Sequence, residues 1–266
     1  MRQLGEVFML KCYWSTGKVK LLPLVICFFA MSCVDKEMSK NPVEAYKSSK
    51  EAYDDGDYEI ALTTLGEFKS RFPYSQYAVE AELLIANSHY ELEHYEEAAV
   101  AYSQFVKLHP RHAKLDFAMY RVGESYWMLS PEAIDREQEF TRKAIDEWQK
   151  LIDRLPNSKY SKQARALVLK GKRRVADSSE FVAAFYCKQE IYSACAFRYI
   201  SLAREFPEFK DMRKGALSKA GDALIIISKV KKEDPKSDKN IYFSTLDSQQ
   251  IVALAKKLKN EARKVR

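Results

Sequence analysis

The chain has 266 residues, of which 47% are hydrophobic, and it holds only 8 glycines and 8 prolines. This composition supplies core material for one large or two ordinary domains and disfavours a sheet-rich fold. The net charge of +7 is mild for a chain with 30% charged residues, and no basic stripe is interleaved with stacking aromatics, so nucleic acid is excluded as an expected partner.

The first segment, residues 1–32, is typical of a signal peptide. Two lysines precede a ten-residue apolar run, Leu21 to Ala30, which is too short to span a bilayer but has the length of a signal-peptide core. A small residue, Ser32, then precedes Cys33. This order is similar to a bacterial lipobox and predicts lipidation of Cys33. A plain secretory signal and a buried cysteine in a core helix are the alternatives.

Lipidation would anchor the chain through residues 33–42, a short polar tether. Bacterial lipoproteins that stay in the inner membrane usually carry aspartate after the cysteine, so Val34 permits export to the outer membrane. The compartment is then oxidising, and Cys187 and Cys195 could pair. The helical pattern described next favours Cys195 as a small core residue, with the disulfide as the alternative.

Four predicted helices are each followed by a proline and share one pattern. Twelve residues before each proline stands a small residue, and large residues stand eight and five before it. These three positions share a helical face, and the proline marks where the chain leaves the helix. The repeated unit predicts an all-α fold, a superhelical α-solenoid of about five tetratricopeptide-like helix pairs. The prolines are Pro73, Pro110, Pro156 and Pro207, and the small residues are Ala61, Ala98, Ala144 and Cys195.

The same pattern predicts ten helices in five pairs. In chain order they are 43–54 with 58–71, 77–92 with 95–108, 114–129 with 140–154, 162–186 with 192–206, and 212–230 with 248–265. An insertion, residues 130–139, separates the third pair, and we expect Asp135 and Arg136 to order it as an ion pair. A polar linker precedes the last helix, which Asp247 or Ser248 can cap.

Several stretches resemble one known family. KLHPRHAKLDFAMYRVGES at 107–125, RFPYSQYA at 71–78 and LPNSKY at 155–160 are similar to motifs of the BamD/ComL family, the tetratricopeptide lipoproteins of the outer-membrane β-barrel assembly machinery. The segment that carries Tyr186 and Arg198 resembles the fourth repeat of that family. The resemblance covers about residues 41–210.

The resemblance implies a non-enzymatic scaffold on the periplasmic face of the outer membrane. Its C-terminal half, residues 159–266, would hold the last POTRA domain of a BamA-like barrel protein through Arg198, Tyr186 and Gln189. Arg198 falls where the family places an arginine that faces an acidic group of BamA, and Gln189 replaces a charged residue common in that turn. The N-terminal half, residues 43–158, would form a groove for unfolded outer-membrane proteins. Other lipoproteins of the complex are possible partners.

Three aromatic residues are candidates for that groove: Tyr74, Tyr120 and Trp127. Tyr120 and Trp127 are seven residues apart and share a helical face. Apolar stripes usually mark packing faces. For most of the aromatic residues of the predicted helix 114–129, we therefore favour a place in the solenoid core. On a concave face, they would instead contact an extended apolar peptide with a terminal aromatic residue.

Motifs for catalysis are missing from the sequence, which has no G-x-S-x-G elbow, H-E-x-x-H helix or Walker loop. His109 and His112 flank a proline without further ligands nearby, so we expect no metal and no cofactor. The alternative function is that of another periplasmic tetratricopeptide lipoprotein, which coordinates envelope synthesis or cell division. Such proteins usually carry a coiled coil before three repeats, and no sustained heptad precedes residue 43.

Overall fold

The computed structural model describes residues 38–234 and 242–265. The predicted signal peptide and Cys33 lie outside the described residues, so their assignment stays a prediction. The described residues form ten α-helices, none of which is long and apolar enough to cross a membrane. The helices are α1 (Pro42–Asp54), α2 (Tyr58–Arg71), α3 (Ala78–Glu91), α4 (Tyr95–Leu108), α5 (Leu115–Leu129), α6 (Glu139–Arg154), α7 (Lys159–Lys188), α8 (Tyr192–Glu205), α9 (Lys210–Glu233) and α10 (Ser248–Lys264).

Each helix packs mainly against its neighbours in the sequence, from α1 on α2 through to α9 on α10. Contacts between α1 and α3, and between α5 and α7, bring first helices of successive pairs together. Sequential packing of helical pairs is the arrangement of a tetratricopeptide-like solenoid, which confirms the predicted fold class.

The helical face predicted from the four prolines is the buried face. All four small residues are fully buried, and the large residues eight positions before each proline are buried as well. In the third pair, the indole ring of Trp148 on α6 packs directly against the backbone of α5 at position 123. Only glycine fits at that position, because any Cβ there would overlap the ring. The fully buried large residues of this set are Leu65, Tyr102, Trp148 and Tyr199.

Three of the turns inside helix pairs have the same backbone conformation. Gly56, Glu93 and Glu190 have φ values of 87°, 61° and 61°. In the fourth pair, the amide of the next residue, Ile191, donates to the carbonyl of Tyr186, a C-terminal cap of the Schellman type. Glu93 and Glu190 adopt this left-handed conformation without being glycine, which costs about 1 kcal/mol each. The α7–α8 turn is therefore tight and fixed by main-chain hydrogen bonds.

Helix boundaries agree with the prediction to within a few residues. The largest differences, three residues each, are at the end of α9, which is Glu233 rather than 230, and at the start of α7, which is Lys159 rather than 162. Its early start has a local cause, because the Ser158 hydroxyl accepts a hydrogen bond from the amide of Tyr160 at 3.1 Å. Asp247 caps α10 as predicted, in a capping box with Gln250.

The structure confirms one expectation about side chains and contradicts another. Cys195 is a buried core residue, as expected, and it also forms the disulfide with Cys187 that was kept as the alternative, with their Cα atoms 5.0 Å apart. In the insertion, Asp135 and Arg136 form no ion pair in the described part of the chain. Instead, the Gln138 amide donates to the carbonyls of Ala133 and Arg136 at 3.0 and 3.1 Å, so an uncharged side chain orders this loop.

Candidate docking surface and groove

The end of α7 and the first half of α8 bring two of the predicted docking residues into contact. The guanidinium carbon of Arg198 lies 4.8 Å from the ring centroid of half-buried Tyr186, a cation–π arrangement. Gln189 caps α7 and is exposed. Sequence resemblance alone could not predict that Arg198 stacks on Tyr186, because this contact depends on how α7 and α8 pack.

Arg198 is exposed, and among the described residues no carboxylate pairs with it. Glu205 of the same helix pairs instead with Arg142 at 2.5 Å. The planar guanidinium therefore keeps its N–H donors free, while the Tyr186 ring fixes its plane. Such a group can bind a carboxylate through two parallel hydrogen bonds.

The disulfide joins the two helices that carry the docking residues Tyr186 and Arg198. Cys187 follows Tyr186 at the end of α7, and Cys195 precedes Arg198 by about one turn of α8. The covalent link therefore holds the helix that carries Tyr186 against the helix that carries Arg198. This constraint limits the loss of side-chain freedom when a partner binds.

Exposed apolar side chains lie on the same two helices and in the turn between them, and sequence reasoning missed them. Phe181 and Phe185 are four residues apart on α7, Ile191 lies in the turn, and Phe197 lies on α8, each with 45–51% of its surface exposed. Tyr242, which follows the α9 segment, stacks on Phe197 at 4.5 Å between ring centroids. Their positions outside the core-facing pattern of α7 and α8 are a sequence signal that could have identified them. Aromatic residues around an arginine are typical of residues that dominate binding energy at interfaces.

A cavity of about 490 Å³ is bordered by the first helices of three successive pairs. Leu83 and Asn87 of α3, Phe117 of α5 and Tyr160 of α7 line it. The hydroxyl of Tyr102 donates to the side-chain oxygen of Asn87 at 2.6 Å. This hydrogen bond fixes the orientation of the Asn87 side-chain amide. The cavity thus offers aromatic rings and a fixed amide to a ligand that crosses several pairs.

Next to this cavity, Arg121 of α5 is held in a cluster that the sequence did not indicate. Its guanidinium carbon lies 4.1 Å from the ring centroid of Tyr90 and 5.3 Å from that of Phe117. It pairs with Glu124 at 2.9 Å and with Glu91 at 3.9 Å. Burial raises the pKa of Tyr90 to about 12, so its hydroxyl stays protonated at neutral pH.

The three predicted groove residues have different surroundings. Tyr120 contacts Tyr160 at 5.3 Å between ring centroids and accepts the indole N–H of Trp148 at its carbonyl, at 3.1 Å. Trp127 packs against the same Trp148 at 5.8 Å. Tyr74 is fully exposed in the α2–α3 connection. The structure therefore brings Tyr120 and Trp127 into contact with the same Trp148 and places Tyr74 in a separate turn. None of the three lines the cavity, and Tyr120 borders it only through its contact with Tyr160.

Charge is divided unevenly along the chain. Residues 43–158 contain 13 Lys and Arg against 22 Asp and Glu, whereas residues 159–266 contain 25 against 12. The half with the candidate groove is therefore acidic, and the half with Arg198 is basic. Over the described residues, no group of three His, Cys, Asp or Glu side chains could hold a metal ion.

Stacked helical pairs, a lined cavity and an exposed arginine–aromatic surface define a tetratricopeptide-type binding scaffold. A family profile described as YfiO, outer membrane lipoprotein, matches residues 38–231, and the chain belongs to this family.

Curated relatives carry one name. The outer membrane protein assembly factor BamD of Vibrio cholerae is 25% identical over 203 residues, which cover 73% of this chain and 84% of the relative. The protein of the same name from Neisseria meningitidis serogroup B is 29% identical over 162 residues, 58% of this chain and 61% of the relative. Among solved structures, the TPR2AB domain of yeast Sti1 in complex with pHSP90 has a TM-score of 0.41 and 17% identity, and the match covers 84% of this chain and 89% of that one.

Proposed function

We propose that this chain is a BamD-type assembly factor, a non-enzymatic scaffold lipoprotein of the complex that inserts β-barrel proteins into the outer membrane. Membership of the outer membrane lipoprotein family over residues 38–231 supports the location, and the shared name of the relatives supports the process. The observation that carries the molecular role is Arg198, exposed, free of carboxylates in the described chain and stacked on Tyr186.

In this proposal, the α7–α8 surface docks on the last POTRA domain of a BamA-like barrel protein. Arg198 binds a carboxylate of that domain, and Tyr186 holds the guanidinium in the required plane. The exposed rings of Phe185 and Phe197 exclude water around the ion pair, which strengthens it. The basic character of this half of the chain favours an acidic partner surface and speeds its encounter.

Replacing Arg198 with alanine is expected to weaken binding of an isolated last POTRA domain by about 30-fold, since the loss of one partner of a hydrogen-bonded charge pair costs about 2 kcal/mol or more. Isothermal titration calorimetry of the purified chain measures the effect. Arg204→Ala is the matched control, because Arg204 is an exposed arginine on the same helix. Equal affinities for the two variants would remove Arg198 from the docking surface.

The groove of the N-terminal half is proposed to receive an unfolded barrel protein as an extended segment. Phe117 and Tyr160 would stack on an aromatic side chain of the client, and the amide of Asn87 would bind its main chain. Tyr120 would hold the Tyr160 ring in place through their contact. Trp127 would pack against Trp148 without contacting the client.

A peptide that ends in an aromatic residue distinguishes this cavity from the turn that carries Tyr74. Phe117→Leu should weaken the peptide about fivefold, because one aromatic contact contributes about 1 kcal/mol beyond its buried area. Tyr74→Ala should leave the affinity unchanged, because that side chain is fully exposed and does not line the cavity. Fluorescence anisotropy of a labelled peptide gives both values. The reverse pattern would move the client site to the α2–α3 turn.

The identity of the partner separates this role from the coordination of envelope synthesis or division. Cross-linking of the lipoprotein in the native envelope should recover a BamA-like protein. Recovery of a division protein as the main product would contradict the proposed function.

A further inference from the structure

The last helical pair carries a charge excess that lies outside both the α7–α8 docking surface and the groove. Residues 210–266 contain 15 Lys and Arg against 7 Asp and Glu, a net charge of +8. This excess is larger than the +7 of the whole chain. A concentration of one sign of charge on a single element favours an anionic ligand.

Part of this charge lines a cleft of about 660 Å³ between the second half of α9 and the first half of α10. Lys229 and Lys232 of α9 and Lys256 of α10 contribute their side chains to it, and all three are exposed. Within residues 38–234 and 242–265, none of the three has a hydrogen-bond or ion-pair partner, and no carboxylate lines the cleft.

Two neighbouring lysines, Lys231 and Lys259, differ from the three lysines of the cleft because they make structural contacts. Lys231 donates to the carbonyls of Phe243, Ser244 and Leu246 and so ties the start of the last helical segment to α9. Lys259 pairs with Asp222 at 2.5 Å. These two lysines hold α9 and α10 together, whereas the three lysines of the cleft make no such structural contact.

The rest of the cleft suits a ligand with both an anionic and an apolar part. Val252 and Ala253 of α10 form apolar wall. Ser248 and Gln249, at the start of α10, also line the cleft, and because the Asp247 carboxylate caps this helix end, the lysines are the source of positive charge there. The hydroxyl of Ser248 donates to the carbonyl of Ser228 at 2.8 Å, which fixes that helix end against α9.

We propose that the α9–α10 cleft binds the phosphate group of an anionic membrane phospholipid. Three ammonium groups from two helices can surround the oxygens of one phosphate, and lysine acts there as a strongly hydrated point charge. The apolar wall accommodates the glycerol and upper acyl carbons of the lipid. The family match to outer membrane lipoproteins places the chain at a membrane surface, where such headgroups are the most concentrated source of phosphate.

Vesicle binding tests the proposal. The full mature chain with Cys33→Ser, which prevents lipidation, is sedimented with phosphatidylcholine vesicles that contain or lack phosphatidylglycerol. The chain should bind only the vesicles with phosphatidylglycerol. Lys229→Gln, Lys232→Gln and Lys256→Gln together should lower the partition coefficient about 100-fold, since each lysine at an anionic surface contributes about 1 kcal/mol.

The matched control removes the same charge elsewhere, through Lys214→Gln, Lys257→Gln and Lys264→Gln, three exposed lysines of the same helices outside the cleft. If the partition coefficient falls equally in the two triple variants, the effect comes from net charge alone, and the cleft is not a specific site. Binding of inorganic phosphate or polyglutamate without vesicle binding would overturn the lipid as its source. Because POTRA binding is measured separately, failure here would leave the proposed scaffold role untouched.

Discussion

Replacement of Gly123 by alanine is expected to lower the free energy of unfolding by about 2 to 3 kcal/mol, the largest effect expected from so small a change in this chain. A Cβ at this position would lie 2.5 Å from Cδ1 and Nε1 of Trp148, a distance that real Cβ atoms do not adopt. Trp148 is fully buried, so the indole ring cannot move into solvent without opening the α5–α6 interface.

The displaced ring would also lose a hydrogen bond. The Trp148 indole N–H donates to the carbonyl of Tyr120, in the helix turn that precedes Gly123. Overpacking of a dense core costs about 1 to 3 kcal/mol, and the unsatisfied buried donor adds about 1 kcal/mol or more. The higher helix propensity of alanine stabilises the helix by about 1 kcal/mol and offsets part of this cost. The free energy of unfolding still falls.

Gly66 supplies a control in which the sign of the effect is reversed. It lies on the exposed face of α2, and a Cβ there meets nothing within 4 Å. Gly66→Ala should therefore raise the free energy of unfolding by about 0.5 to 1 kcal/mol. Urea denaturation followed by circular dichroism measures both variants. A Gly123→Ala protein at least as stable as the Gly66→Ala protein would contradict the close packing of Trp148.

The repeat pattern predicted the core because spacing along a helix determines which residues share a face. Ala144, Trp148 and Leu151 could be placed together from their distances to Pro156 alone, and all three are fully buried. Several turns were predictable from local signals, since Gly56 follows α1 and a proline closely follows α2, α4, α6 and α8.

Contacts between helices of different pairs could not be predicted in this way. The stacking of Arg121 between Tyr90 and Phe117 depends on the angle at which α3 and α5 cross, and no sequence spacing encodes that angle. The pairing of Cys187 with Cys195 was only the alternative in the sequence, because the repeat pattern already gave Cys195 a role in the core. A single position serves here in both packing and covalent linkage.

The role of that linkage gives the second expected result. Removal of the disulfide by Cys187→Ser with Cys195→Ala should lower the free energy of unfolding by about 2 to 3 kcal/mol, the value for the short loop that it closes. Alanine is the suitable residue at 195, because Ala61, Ala98 and Ala144 occupy the equivalent buried position of the other pairs. The core therefore loses little packing, and the measured loss reports the covalent link.

Docking should weaken along with stability. Without the link, the end of α7 can fray, and Tyr186 and Arg198 must then be ordered on binding at a cost of about 0.5 to 1.5 kcal/mol for each side chain. We expect about tenfold weaker binding of the last POTRA domain, measured by calorimetry beside urea denaturation. Reduction of the native protein with dithiothreitol should reproduce both losses, whereas the same treatment of the double variant should change neither. If the reduced native chain keeps both its stability and its affinity, the disulfide contributes nothing to the docking surface, and the main-chain hydrogen bonds of the α7–α8 turn are sufficient to hold Tyr186 against Arg198.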